Sequence, residues 1–183
     1  MFYYGFDLTY LIMVMPFVIL SIWASSNVNS TFKRYSKVYS RRGLTGAQAA
    51  EQVLKNNGVY NVRIERISGN LTDHFDPKTN VIRLSDNVYD NTSAAAIGVA
   101  CHEAGHAVQY AQDYAPIKLR AAIIPVTNIG SMLAMPLIVL GLVLNFMTEF
   151  SYTFVYIGIG CFGFSLLFQL ITLPVEFNAS HRA

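Results

Sequence analysis

The chain has 183 residues, enough for one compact domain or for a smaller domain joined to membrane segments. Hydrophobic residues make up 53% of it and charged residues only 13%, against about 25% charged in soluble globular proteins, so a wholly water-exposed architecture is disfavoured. The net charge of +2 is unremarkable in total, and Cys101 and Cys161 stand far apart in no CxxC pairing, which argues against a disulfide framework or a cysteine zinc site.

Three stretches are apolar over the ~20 residues that a spanning helix needs. The first, from about Leu8 to Ala24, has no basic stretch before it and no convincing small-residue cleavage site, so it reads as a retained anchor. KRYSKVYSRR follows directly and supplies Lys33, Arg34, Lys37, Arg41 and Arg42. A basic run beside a span points to anionic lipid headgroups rather than to nucleic acid.

In TGAQAAEQVLKNNG, Thr45 and Gln48 fit a capping box, Ala49, Ala50, Val53 and Leu54 form an apolar face, and Gly58 ends the helix. VYNVRIERIS alternates Val62 and Ile64 against Arg63 and Glu65, the period of a strand. LTDHFDPKTNVIRLS predicts a hairpin, with strands around Leu71–Phe75 and Val81–Leu84 joined by a turn at Asp76–Asn80. Together these predict a short antiparallel sheet.

The next helix, predicted over 94–112, starts at a Thr92 or Ser93 cap and carries CHEAGHAVQY in its middle. On a helix His102 and His106 project from one face a turn apart, within reach of one ion. Glu103 sits beside them, rotated by about 100°, where it can take a proton from water without being a ligand. A catalytic zinc needs a third protein ligand and an open position.

Two further spans, about Ala121–Met147 and Tyr152–Val175, form a hairpin that returns the chain to the side it left, at Glu176 in PVEFNASHRA. Glu176 is therefore the better third ligand, ahead of the remaining histidines, His74 and His181. It is read as starting a new helix, in the order of a glutamate-ligand zincin. Lys118 and Arg120 precede the second span and Arg182 follows the third, while only Asp7 and Glu149 are charged on the other side, so the positive-inside rule puts the motif in the cytoplasm and the N-terminus outside.

The domains expected are an anchor over 1–25, a cytoplasmic domain over 26–120, a membrane hairpin over 121–175 and the start of a ligand helix over 176–183. The fold class is mainly α with a small antiparallel β-sheet, a zincin-like HExxH helix domain inserted between three transmembrane helices. Secondary candidates for substrate or transition-state contact are His74 on the hairpin, Tyr110 one turn beyond His106, and His181 or Arg182 beyond Glu176.

FKRYSKVYSRRGLTGAQAA, LTDHFDPKTNVIRLS, VACHEAGHAVQYAQDYAPIKLR and LPVEFNASHRA resemble the YugP-like family of bacterial membrane neutral zinc metallopeptidases. The resemblance implies a multi-span protein of the bacterial cytoplasmic membrane with a cytoplasmic zincin site, one Zn²⁺ and a polypeptide substrate. The family is distantly similar to the heat-shock and CAAX-processing membrane metalloproteases, whose third ligand lies in Glu-x-x-Ala-Asp. Glu176 and Ala179 match that pattern, but Ser180 stands where the aspartate would fall, so Asn178 or Ser180 would have to orient a ligand. Family members run on with more hydrophobic sequence where this chain ends at Ala183, which reads as a truncation. The competing reading is a membrane adaptor that keeps a zincin scaffold with a structural or absent metal; the intact Glu103 favours the enzyme. An oligomer or partner subunit is left open.

Overall fold

The structure, a computed structural model, describes residues 8–144 and 151–183. The N-terminal residues up to Asp7, the turn expected at 148–151 apart from Ser151, and Glu149 lie outside the described residues.

The elements run α1 (Leu8–Tyr35), α2 (Gly46–Asn56), β1 (Arg63–Ile67), β2 (His74–Asp76), β3 (Val81–Ser85), α3 (Asp86–Tyr89), α4 (Ala94–Ala111), α5 (Ala115–Leu144) and α6 (Ser151–Arg182). Three helices, α1, α5 and α6, are long and apolar enough to cross a membrane. Their outward faces carry large apolar side chains, among them Phe17, Met132, Phe162 and Leu167. Such a surface suits hydrocarbon and not water.

The helix starts follow the local chemistry. Thr45 Oγ1 accepts from the Gln48 backbone N–H, and the Gln48 side chain accepts from the Thr45 N–H in return. Ser93 caps α4 through the Ala96 N–H. The alanines of α4 let its neighbours come close: Ala96, Ala100, Ala104 and Val108 share one buried cluster with Ala50 and Leu54 of α2, Ile82 and Leu84 of β3, and Val88 of α3. Fully burying each of the larger aliphatic side chains there is worth about 1.5–3 kcal/mol.

The sheet departs from the expected antiparallel form. It is mixed, in the order β1-β3-β2, with β3 parallel to β1 and antiparallel to β2. The cause lies in β3: Val81, Ile82, Leu84 and Ser85 are all buried, so this strand takes the centre. The connection from β1, bent through positive φ at Gly69 and Leu71, carries the chain to the far side of β3. The first hairpin strand is also shorter and later than Leu71–Phe75, beginning at His74. Among the described residues β2 pairs with β3 alone, which leaves its other edge facing α4.

Nor does Glu176 start a new helix. α6 runs unbroken from Ser151 to Arg182 through Pro174, as membrane helices tolerate when neighbouring groups satisfy the freed carbonyls. α5 likewise contains Pro125 and Pro136. The two pack along their length, with Gly158 against the backbone of Ala134 and the Ser131 and Ser165 hydroxyls 2.7 Å apart.

Candidate metal centre

α4 and α6 bring the three proposed ligands together. One side-chain donor atom from each of His102, His106 and Glu176 lies within 4.8 Å of the others. Glu176 Oε2 is 3.2 Å from His102 Nε2 and 3.4 Å from His106 Nε2. Two donors held tetrahedrally at zinc's bond lengths of about 2.0–2.2 Å would stand about 3.3–3.5 Å apart. Two imidazole nitrogens and one carboxylate oxygen are also a donor set that suits the ion. The residues present therefore fit a zinc ion.

What holds each ring matters as much as the ring. His106 Nδ1 lies 3.1 Å from Gln109 Oε1, while Gln109 Nε2 donates to the Val175 carbonyl at 2.8 Å and to Asn178 Oδ1 at 2.9 Å. With its NH₂ spent on two acceptors, Gln109 can offer His106 only an oxygen. The proton then sits on Nδ1 and leaves the Nε2 lone pair facing the cluster. His102 Nδ1 meets Ser180 Oγ at 3.0 Å. Arg120 Nη1 donates to Glu176 Oε1 at 2.5 Å, which leaves Oε2 for the histidine side.

Glu103 points from α4 to the edge of β2, where its Oε2 accepts the Phe75 N–H at 2.9 Å. Burial raises its pKa above the ordinary carboxylate range, opposed by the His106 and His102 charges and the Phe75 N–H and aided by the Asp73 charge. The hydrogen bond with Glu176 raises the His102 pKa, against the effect of its own burial.

The cluster opens on a cavity of about 300 Å³. Its polar side carries His102, Glu103, His106, Arg120 and Glu176; Phe75, Pro77, Ile117, Ala121 and Ile124 form an apolar side, partly from the first turns of α5.

The secondary candidates divide. His74 lines the cavity with its side chain exposed and Nδ1 2.8 Å from the Thr72 carbonyl. Tyr110 packs edge-on against Phe75, ring centroids 6.0 Å apart, outside the cavity wall. His181 is exposed and does not line the cavity. Arg182 faces away from the cluster, bonded to Asn178 Oδ1 at 2.6 Å, to Gln112, and over the Tyr114 ring. Ser180 reaches His102 directly, and Asn178 reaches His106 through Gln109.

Two residues that hold the cluster, Gln109 and Arg120, are not among the site residues expected from the sequence. Gln109 was legible in principle, being the one amide on an alanine-rich face three residues after His106. Arg120 reads by itself as a topological charge, and only the packing of α5 against α6 gives it a partner.

Residues 10–183 match the family described as "Putative neutral zinc metallopeptidase". The chain is 47% identical over 164 residues to the "Putative membrane protease YugP" of Bacillus subtilis (strain 168), covering 90% of this chain and 71% of that protein. No solved structure matches.

Proposed function

The chain belongs to this family of neutral zinc metallopeptidases, the one its motifs resemble, and on that premise we propose that it is a membrane-embedded zinc endopeptidase acting on polypeptides at the cytoplasmic face of the bacterial membrane. His102, His106 and Glu176 are its metal ligands, holding one zinc ion per chain, and Glu103 is its general base. The observation that carries this reading is the convergence of two Nε2 atoms and one carboxylate oxygen beside a half-buried carboxylate, that of Glu103, which is not part of the cluster.

Zinc, when bound, supplies a Lewis acid that polarises the scissile carbonyl and brings the pKa of water near ~7. Glu103 takes the proton of the attacking water and returns it to the departing amine nitrogen, so that no covalent enzyme intermediate is needed. Ser180 and Gln109 hold the two imidazoles, and Arg120 holds the spare oxygen of Glu176. The apolar wall of Ile117, Ala121 and Ile124 suits a substrate side chain met close to the bilayer.

The test is zinc content in detergent-purified protein together with hydrolysis of β-casein. One zinc per chain is expected, lost or loosened in Glu176→Ala. Glu103→Gln should keep the metal while casein hydrolysis falls about 10²- to 10⁴-fold. A chain without zinc, or Glu176→Ala with unaltered zinc, would overturn this ligand set; bound zinc with no hydrolysis by the unmodified chain would leave the adaptor.

A further inference from the structure

Three hollows run into one another along the exposed face of α4. The cavity at the cluster shares Asp73, His102 and Glu103 with a second hollow of about 340 Å³, whose other walls are Leu71, Gly98 and Val99. That hollow shares Gly98 and Val99 with a third of about 450 Å³, closed on its far side by Val28, Phe32 and Tyr35 of α1. Gly98 lies where the second and third meet. It is exposed, and a Cβ added there would touch nothing within 4 Å.

From this continuity we propose that the substrate is an extended polypeptide lying in one groove from the cluster past Gly98 to the foot of α1, with an apolar side chain seated among Val28, Phe32 and Val99. The proposal deepens the peptidase reading and rests on it. From Glu103 back to Ala94 the helix rises about 13 Å at ~1.5 Å per residue. That is room for about four residues of extended chain at ~3.3 Å each. Cleavage of a dipeptide would use the cluster and its own cavity; a groove of this length selects unfolded segments of a longer chain.

Both walls are fixed. On one side the Ala94 N–H donates to the Val38 carbonyl at 2.7 Å and the Ser40 N–H to the Thr92 carbonyl at 2.9 Å, tying the end of α1 to the start of α4. On the other, Asp73 accepts from the Ser85 N–H at 2.7 Å and from its hydroxyl at 3.0 Å, which anchors the segment leading into β2. A preformed groove spares the substrate the cost of ordering it. Gly98 leaves its middle open, and a large side chain there would fill it; His102 lies one turn on and lines the same hollow, so zinc content is read beside binding.

The experiment measures binding of fluorescein-labelled β-casein by anisotropy to the zinc-loaded Glu103→Gln chain in detergent, with Gly98, Gly98→Ala and Gly98→Trp compared. Gly98→Trp should weaken binding tenfold or more at unchanged zinc content, and Gly98→Ala should bind like the parent. Equal binding by all three would overturn the groove while leaving the peptidase reading intact. Absence of zinc together with absence of casein binding in the parent would overturn both. Should Gly98→Trp lose zinc or unfold, p-benzoylphenylalanine in place of Tyr35, an aromatic side chain that is already exposed and lines the third hollow, gives the answer: it should crosslink casein, whereas the same probe at Tyr60, which is exposed and lines none of the three hollows, should not. Equal yields at the two positions, or none at 35, would sink the proposal.

Discussion

Glu176 divides its two carboxylate oxygens between two elements. Oε2 faces the histidines of α4, while Oε1 accepts the Arg120 guanidinium of α5 at 2.5 Å. A carboxylate free to rotate would offer either oxygen, or both, to a metal; Arg120 fixes which one is presented. Partners behind a ligand are typically worth about 10- to 100-fold in metal affinity. Arg120→Gln is therefore expected to weaken zinc by that order in competition with a chromophoric chelator, with Arg120→Lys in between because a single ammonium keeps the charge but not the planar fork. Unchanged affinity in Arg120→Gln would reduce the contact to a partly exposed ion pair of little weight. The same contrast explains what could be read from the letters. His102, Glu103 and His106 lie within one helical turn, so spacing alone aligns them. Glu176 needed the hairpin topology as well, and Arg120 needed the side-by-side packing of two helices, which no local pattern encodes.

At the scale of elements, the approach of α4 to α6 decides whether the site exists. Gly105, buried between His102 and His106, is the contact point: a Cβ there would sit on the Ala179 carbonyl, against backbone that cannot swing aside. Gly105→Ala should cost about 1–3 kcal/mol by overpacking and should loosen zinc by moving Glu176 off the histidines. Gly98→Ala, seven residues or about two turns earlier and in open space, should instead gain up to ~1 kcal/mol from helix propensity. Thermal unfolding in detergent and zinc titration of the pair would check both signs. Two glycines of one helix are indistinguishable in the sequence, because the difference between them belongs to the partner helix. The sheet gives a like lesson. Two strands and a turn in LTDHFDPKTNVIRLS follow from period and turn residues, but the position of β1 beside β3 depends on burial of β3 from both faces. Period two was legible; strand order was not.

The lengths of the long helices set how high the proposed site would stand above a membrane that they cross. α6 has 32 residues, about 48 Å of helix at ~1.5 Å per residue, against a hydrocarbon core of about 30 Å. Roughly a third of it must project, and its last turns carry Glu176, Ser180 and Arg182. α1, with 28 residues, likewise exceeds the core and ends with Lys33 and Arg34 in its last turn, at the level where headgroups would meet them. Since α4 joins α6 at the cluster and α1 at the groove, the soluble elements and the projecting ends of all three long helices share one side. Lys37, Arg41, Arg42, Lys118 and Arg120 fall on that side too, as the positive-inside rule expects of the cytoplasmic side proposed above. A single cysteine in place of Tyr60, which is 80% exposed, tests this in a chain whose Cys101 and Cys161 have been replaced by alanine. In intact cells it should resist a membrane-impermeant maleimide, and in inverted vesicles it should react. Labelling in intact cells would turn the molecule over. The cluster would survive that result, because its geometry needs only that both ends of the hairpin lie together, but the substrates would then have to be sought outside the cell.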